Sequence, residues 1–244
     1  MPEPFFPLFL QLTDRPCLLI GGGTVAVEKG YRLLAAGAHL TVVAPRLAAE
    51  LQLQVEAGRL FWLPERFRET HLEGIWFAVS TLTDVVQNSR IYAEANRRRL
   101  FLNVVDQPDY CSCHWPATLE RPPVTVAFST RGESPALASY LRRTMAKVLP
   151  ETLGELAHWL SAWRQRVQPV LPDLATRGQF WRALFDQGVA EQFLSGDVAG
   201  ADALIQQALA TEGTATIHAA NTCARIADGA ARTTSVPQGG DRHE

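Results

Sequence analysis

Three consecutive glycines, Gly21, Gly22 and Gly23, separate a short apolar run, Pro16 to Ile20, from a breaker-poor stretch, Val25 to Ala36, that closes at Gly37. The run before them has the composition of a buried strand stopped by a tight turn, and the stretch after them has the pattern of a helix with a glycine C-cap. The junction spells G-x-G-x-x-A over Gly21 to Ala26. In that pattern Gly21 permits the turn and Gly23 lets the backbone approach a pyrophosphate. Ala26 lets the helix pack closely on the strand while the N–H groups of its first turn face the phosphates. The position of the motif, after a strand and opening a helix, favours dinucleotide binding over a turn without a ligand.

The chain repeats the unit. His39 to Ala44 is a second apolar, β-branched run stopped by Pro45, which completes a βαβ unit. A helical Leu47 to Ala57, a strand near Leu60 to Leu63, a strand Ile75 to Val79, a helical Val85 to Arg97 and a strand Leu100 to Val105 follow. Such alternation predicts an α/β fold, a Rossmann-type doubly wound parallel sheet. After Asp106 the alternation stops: Val124 to Phe128 reads as a strand and Pro135 to Val148 as a helix, a small α+β region. From Glu151 to about Ala210 the apolar positions Leu153, Leu156, Leu160, Trp163 and Val167 recur at spacings of three and four, which predicts a C-terminal helical region. The expected division is 1–112 for the nucleotide-binding domain, 113–149 for the α+β region, 150–210 for the helices and 211–244 for a disordered tail.

Composition narrows the class of function. A content of 47% hydrophobic and 20% charged residues suits a globular chain, and a formal charge of −2 gives no global basic field for nucleic acid. No run approaches the roughly 20 apolar residues of a membrane-spanning helix, and Phe5 to Leu10 lacks the features of a signal peptide. Cys17, Cys111, Cys113 and Cys223 make no disulfide framework, so the expectation is a soluble, cytoplasmic protein.

Two further constellations carry chemistry. Asp106 closes Asn103-Val104-Val105-Asp106 at the C-terminal end of a predicted strand, where open α/β sheets bind ligands. It reads as a general acid or base, or equally as a turn aspartate before Pro108. Ser129 to Pro135 is a polar loop entering a helix, with Ser134 as its N-cap. Its N–H groups, with Ser129, Thr130, Arg131, Arg142, Arg143 and Lys147, suit the carboxylates of an acidic ligand, or form a solvated helix face. The second strand ends in Ala44, Pro45 and Arg46 without the usual acid, so the residues alone leave NAD against NADP open, and Arg46 would suit a 2′-phosphate.

Gln11 to Ala26, Asn103 to Pro108 and Ser129 to Ala138, in that order, resemble the precorrin-2 dehydrogenase/sirohydrochlorin ferrochelatase family, the N-terminal part of siroheme synthase. Arg164 to Val167 and Gln179 to Phe185 extend the likeness to residue 210, and the methyltransferase half of the long synthases has no counterpart after Ala210, as in a short form. The resemblance implies a homodimer, with dimerisation in the 113–149 region, that oxidises a tetrapyrrole, precorrin-2, with NAD+ to give sirohydrochlorin. In bifunctional members Fe2+ is then inserted as a substrate. Asp106 matches the family's essential aspartate. Thr24, Val25, Pro45 and Arg46 fall around its dinucleotide, Asp84 and Asn88 on its next cofactor-side segment, and Thr130 where some members carry a phosphorylatable serine.

The chain departs from the family at Arg131, where a second glycine is usual, at Ser80 to Asp84, and at Cys111 to Pro116, where Cys113 and His114 replace aromatic or aliphatic residues. Two thiols and an imidazole are soft-metal ligands in type, but strand alternation would put Cys111 and Cys113 on one face and His114 on the other. Packing is therefore preferred and no metal site is assigned; His158 is read as structural. The alternatives to the bifunctional enzyme are a monofunctional dehydrogenase and a non-catalytic NAD-binding sensor.

Overall fold

The computed structural model describes residues 5–211. The tail expected from 211 onward therefore lies, from 212, outside the described residues. One compact unit takes the chain up to Ala117 together with Ala127–Arg142; the other takes Thr118–Val126 and the chain from Arg143 on.

The first unit is built on β1 (Pro16–Ile20), α1 (Thr24–Ala35), β2 (His39–Val43), α2 (Ala49–Glu56), β3 (Phe61–Leu63), β4 (Phe77–Ser80), α3 (Val85–Arg97) and β5 (Phe101–Val104). All the pairings are parallel, and the five strands lie in the order β3-β2-β1-β4-β5. The chain runs outward from β1 to β3 on one side and restarts at β4 on the other. The switch point thus lies between β1 and β4, where open sheets of this kind leave a crevice at the carboxyl ends of their strands. Ile20 pairs with both Val43 and Ser80, and Ser80 with Val104, so the residues just beyond them share one edge of the sheet.

Both faces of the sheet are buried, as a parallel sheet requires. Alternation along β1 sends Cys17 and Leu19 into a cluster with Ala26, Leu33, Leu40, Leu51 and Val79, under α1 and α2. Leu18 and Ile20 enter a second cluster with Leu72, Ala78, Ile91, Ala95, Leu102 and Val104, under α3. The leucine-sized groups Leu18, Leu19, Leu33, Ile91 and Leu102 are almost wholly withdrawn from water, each contributing about 2 kcal/mol of transfer free energy.

Beyond β5 the chain forms a hairpin of β6 (Ala117–Arg121) and β7 (Val124–Phe128), then α4 (Pro135–Val148). β7 and α4 match expectation; β6 has no apolar run in the sequence and was not expected. The expected strand alternation over 111–114 is absent. That stretch is irregular because side chains bind it to β5: Ser112 Oγ accepts from Leu102 N at 2.8 Å, and Asn103 Nδ2 donates to the Cys113 carbonyl at 3.0 Å.

The second unit holds α5 (Leu153–Val170), α6 (Leu174–Asp186), α7 (Val189–Leu194) and α8 (198–211). Their shared core is Trp163, Val167, Leu171, Phe180, Leu184, Val189, Ala201 and Ile205. Asp202 accepts from both indoles, Trp159 at 3.0 Å and Trp163 at 2.7 Å, which satisfies two polar groups that helix packing would otherwise strand. No helix among the described residues is long and apolar enough to cross a membrane.

Candidate functional site

The glycine turn comes first on the shared edge. Gly21 has φ +110°, and a Cβ there would lie 2.2 Å from Thr81 Oγ1, so both conformation and space demand glycine. Its N–H donates to the Val43 carbonyl at 2.9 Å. Gly22 is equally constrained, though the motif leaves it free: a Cβ would stand 2.2 Å from the Arg46 carbonyl oxygen. No sequence signal marks it, because that neighbour arrives from the next strand. Gly23 is different in kind. It is the N-cap of α1, with φ −86° and ψ −168°, no side chain caps the helix, and nothing lies within 4 Å of where its Cβ would be. Unpartnered N–H groups at the positive end of a 12-residue helix, facing open space across a residue without a side chain, fit a pyrophosphate. Ala26 is fully buried against the sheet, while Thr24 and Val25 are exposed on the first turn.

At the end of β2, Pro45 and Arg46 are exposed, and the Ala44 carbonyl accepts from Trp62 Nε1 at 2.9 Å. Arg46 forms no ion pair among the described residues, and no carboxylate replaces the missing acid in that turn. Asp84 follows β4. Its carboxylate accepts from Val86 N at 2.9 Å and Gln87 N at 3.2 Å, so it caps α3. Asn88, expected on the cofactor side, points inward and is fully buried: Oδ1 accepts from Ser80 Oγ at 2.8 Å, and Nδ2 donates to the Leu82 carbonyl at 2.8 Å and to Gln107 Oε1 at 3.1 Å. Its amide is already spoken for, which corrects that expectation.

Asp106 lies one residue beyond the edge. Val105 N donates to the Ser80 carbonyl at 2.9 Å, continuing the β4–β5 ladder, and Asp106 then turns with φ +59°, its carboxylate exposed. Aspartate is one of the few residues that tolerate the left-handed region, through local polar contacts of a short side chain. The turn is packed from within by Cys111, whose thiol lies 3.1 Å from Val104 N and donates toward the carbonyls of Val104 at 3.2 Å and Gln107 at 3.4 Å.

The Ser129–Ser134 loop comes up beside this turn. A Cβ on Gly132 would lie 3.5 Å from His114 Cε1 and 3.7 Å from Pro108 Cβ, so the loop tip touches the segment that follows Asp106. Arg131 has φ +57° and Gly132 φ +86°. Glycine would adopt this turn at the Arg131 position without strain, and here arginine adopts it at a cost of about 1 kcal/mol. Three of the loop's N–H groups, expected to be free, are used internally: Arg131 N donates to Ser129 Oγ at 3.1 Å, Glu133 N to the Thr130 carbonyl at 3.0 Å and Ser134 N to Thr130 Oγ1 at 3.1 Å, while in the first turn of α4 Leu137 N donates to Ser134 Oγ at 3.2 Å. Ser134 is the expected cap, and the loop carries one cation and one anion, the exposed side chains of Arg131 and Glu133. Arg142 is half-buried further along α4.

Burial pushes the Cys113 thiol up to about 12, raises that of Cys111, and lowers the pKa of His114, whose ring packs edge-on against Phe5 at 4.5 Å. Neutral thiols and a neutral, ring-packed imidazole are poor starting points for metal binding, and among the described residues no three His, Cys, Asp or Glu side chains are grouped to hold an ion.

Residues 8–117 match a family of NAD(P)-binding domains, and residues 152–209 match the sirohaem synthase dimerisation region. A siroheme synthase from Photorhabdus laumondii is 37% identical over 205 residues, 84% of this chain and 44% of the relative. One from Chromobacterium violaceum is 38% identical over 209 residues, 86% of this chain and 44% of the relative. Over most of its length the chain is thus similar to siroheme synthases. It spans about 44% of the length of those two relatives. A solved structure of SirC, precorrin-2 dehydrogenase, shares the fold with a TM-score of 0.67 at 22% identity, over 84% of this chain and 98% of that one.

Proposed function

We propose that this chain is a precorrin-2 dehydrogenase, removing a hydride and a proton from precorrin-2 to give sirohydrochlorin with NAD+ as the acceptor. The observation that carries the reading is the shared sheet edge. Ile20, Ser80 and Val104 are in register, so the glycine turn that fits a pyrophosphate and the turn that bears Asp106 flank the β1/β4 switch point. When bound, the nicotinamide supplies the hydride acceptor. The N–H groups of α1 hold the pyrophosphate across Gly23, Gly21 shapes the turn, and Thr24, Val25, Pro45 and Arg46 line the dinucleotide. Asp84 orders the β4–α3 loop beneath it by capping α3. Asp106 takes the substrate proton, its exposed carboxylate acting as a general base. Arg131 and Arg142, with Ser129, Thr130 and Ser134 shaping the loop, meet the substrate's carboxylates.

The same proposal includes a homodimer formed through the 113–149 region and the helices of 152–209, and a cytoplasmic setting. It also includes chelation: Asp106 accepts pyrrole N–H protons as Fe2+, a substrate, enters sirohydrochlorin. The test is anaerobic incubation of the protein with precorrin-2 and either NAD+ or NADP+, following NADH or NADPH and tetrapyrrole absorbance, then adding Fe2+. Sirohydrochlorin formed with NAD+ supports the dehydrogenase, and siroheme after the iron step supports chelation. NAD+ binding by folded protein without turnover would replace the enzyme with a sensor, and Asp106→Asn that binds NAD+ but does not turn over would exclude the sensor.

A further inference from the structure

Asn88 is a fully buried amide on α3, the helix that also supplies Ile91 and Ala95 to the apolar cluster beneath the sheet. An amide in such a place costs stability unless its donors and acceptor are used, and an aliphatic residue would fill the space at less cost. Its bonds show what it holds. Oδ1 accepts from Ser80, the last residue of β4, and Nδ2 divides between the Leu82 carbonyl and Gln107 Oε1. Gln107 returns the link: its Nε2 donates to the Thr83 carbonyl at 3.3 Å. The two amides therefore lace loop 81–83 to the turn that carries Asp106. That loop is also the wall of the glycine turn, because Thr81 Oγ1 and Leu82 Cδ2 would lie 2.2 and 3.7 Å from a Cβ on Gly21.

The turn needs such a brace. The backbone bond that closes the turn directly across Asp106, Gln107 N to the Val104 carbonyl, is long at 3.4 Å; the next ones, Ser112 N and Cys113 N to the Leu102 carbonyl at 2.9 and 3.2 Å, lie further along the chain, and Asp106 itself has φ +59°. Cys111 holds the Gln107 carbonyl from inside the turn at 3.4 Å. The Gln107 side chain, half-buried, fixes the other side.

We propose that Gln107 and Asn88 are positioning residues, an amide clasp that holds the Asp106 carboxylate at a fixed place relative to the glycine turn. The proposal rests on the reading of Asp106 as the proton acceptor. Neither residue reaches the reacting atoms. Their effect is on orientation, where a displacement of about 1 Å is enough to slow a proton transfer by one to two orders of magnitude.

Three substitutions at Gln107 test this without disturbing the core. Gln107→Met keeps the length and most of the volume and removes the amide; Gln107→Ala removes both; Gln107→Glu keeps an acceptor for Asn88 Nδ2. The expected result is a fall in kcat of about tenfold in both the Met and Ala variants, with KM for the tetrapyrrole, NAD+ affinity measured without it, and Tm all close to wild type. The Glu variant, which keeps the bond from Asn88 Nδ2 and loses the one to the Thr83 carbonyl, recovers part of the lost rate. Wild-type kcat in the Met variant, a Glu variant no faster than Met, or a loss of rate that only follows a loss of Tm each overturns the clasp. Asp106→Asn is measured in the same series. If it turns over normally, the reading of Asp106 fails and takes the clasp with it; if it is inactive while Gln107→Met is fully active, the clasp alone fails.

Discussion

Gly22 and Gly23 are chemically identical neighbours that the structure assigns different tasks, and replacing each with alanine separates them. At Gly22 the new methyl would stand 2.2 Å from the Arg46 carbonyl oxygen, 2.9 Å from Ala44 Cβ and 3.0 Å from Leu47 Cδ2. The first contact is with backbone, about 1 Å inside contact distance, so either the glycine turn or the β2–α2 connection must shift and strain the bond from Ala48 N to the Gly22 carbonyl, now 2.7 Å. Overpacking of this severity costs about 3 kcal/mol. In a unit of this size that is a drop in Tm of roughly 10 °C. At Gly23 the methyl meets nothing within 4 Å, and φ −86° is ordinary for alanine. The poorer N-cap and the stiffer unfolded chain oppose each other at about 0.5 to 1 kcal/mol each, leaving Tm nearly unchanged. The methyl does, however, occupy the approach to the α1 N–H groups. Losing one charge-assisted bond there is worth about 2 kcal/mol, or roughly thirtyfold in dinucleotide affinity. Thermal melts and NADH fluorescence titrations on both variants give four numbers. The reasoning is refuted if Gly22→Ala melts like wild type, or if Gly23→Ala binds NADH normally.

Asp106→Asn is expected to melt within about 0.5 kcal/mol of wild type while Asp106→Ala loses about 1 kcal/mol more, since alanine lacks the polar contacts that ease φ +59°; urea unfolding of the pair decides it. Ser134→Ala removes the acceptor for Leu137 N at 3.2 Å and should cost about 1 kcal/mol at the start of α4, with Ser134→Asp restoring it. Burial raises the thiol pKa of Cys17 to about 11 and of Cys113 to about 12, so peptide-level mass spectrometry after iodoacetamide at pH 8 should find both unmodified in native protein and both modified in urea. Bonds from Arg97 and then Arg98 hold the Glu94 carboxyl below its ordinary value of 4.5. Its stabilising effect is present above that value and lost as pH falls through the lower folded value, so Glu94→Gln should flatten the acid side of the stability profile and leave the neutral side displaced downward.

How far the sequence speaks depends on whether a constraint is local. The strands β1, β2, β4 and β5 were legible because each is a β-branched or leucine-rich run cut off by a glycine, proline or polar turn, and α3, β7 and α4 were legible to the residue. β6 was not, since Ala117–Arg121 has no apolar run and becomes a strand only by pairing with β7. The site divides in the same way. The positive-φ turn at Gly21, the start of α1 after Gly23 and the cap at Ser134 were readable because backbone conformation and helix capping are decided within a few residues of each position. Gly22, Asn88, Gln107 and Cys111 were missed or misplaced because their partners come from Arg46, Ser80, Asn88 and Val104, across turns whose approach no spacing rule encodes. The residues a motif names are thus those whose local backbone it dictates, and those it omits are the ones that hold separate strand ends at a fixed separation. If the Gln107 variants behave as expected, that second group sets the rate of a site whose motif is left unchanged.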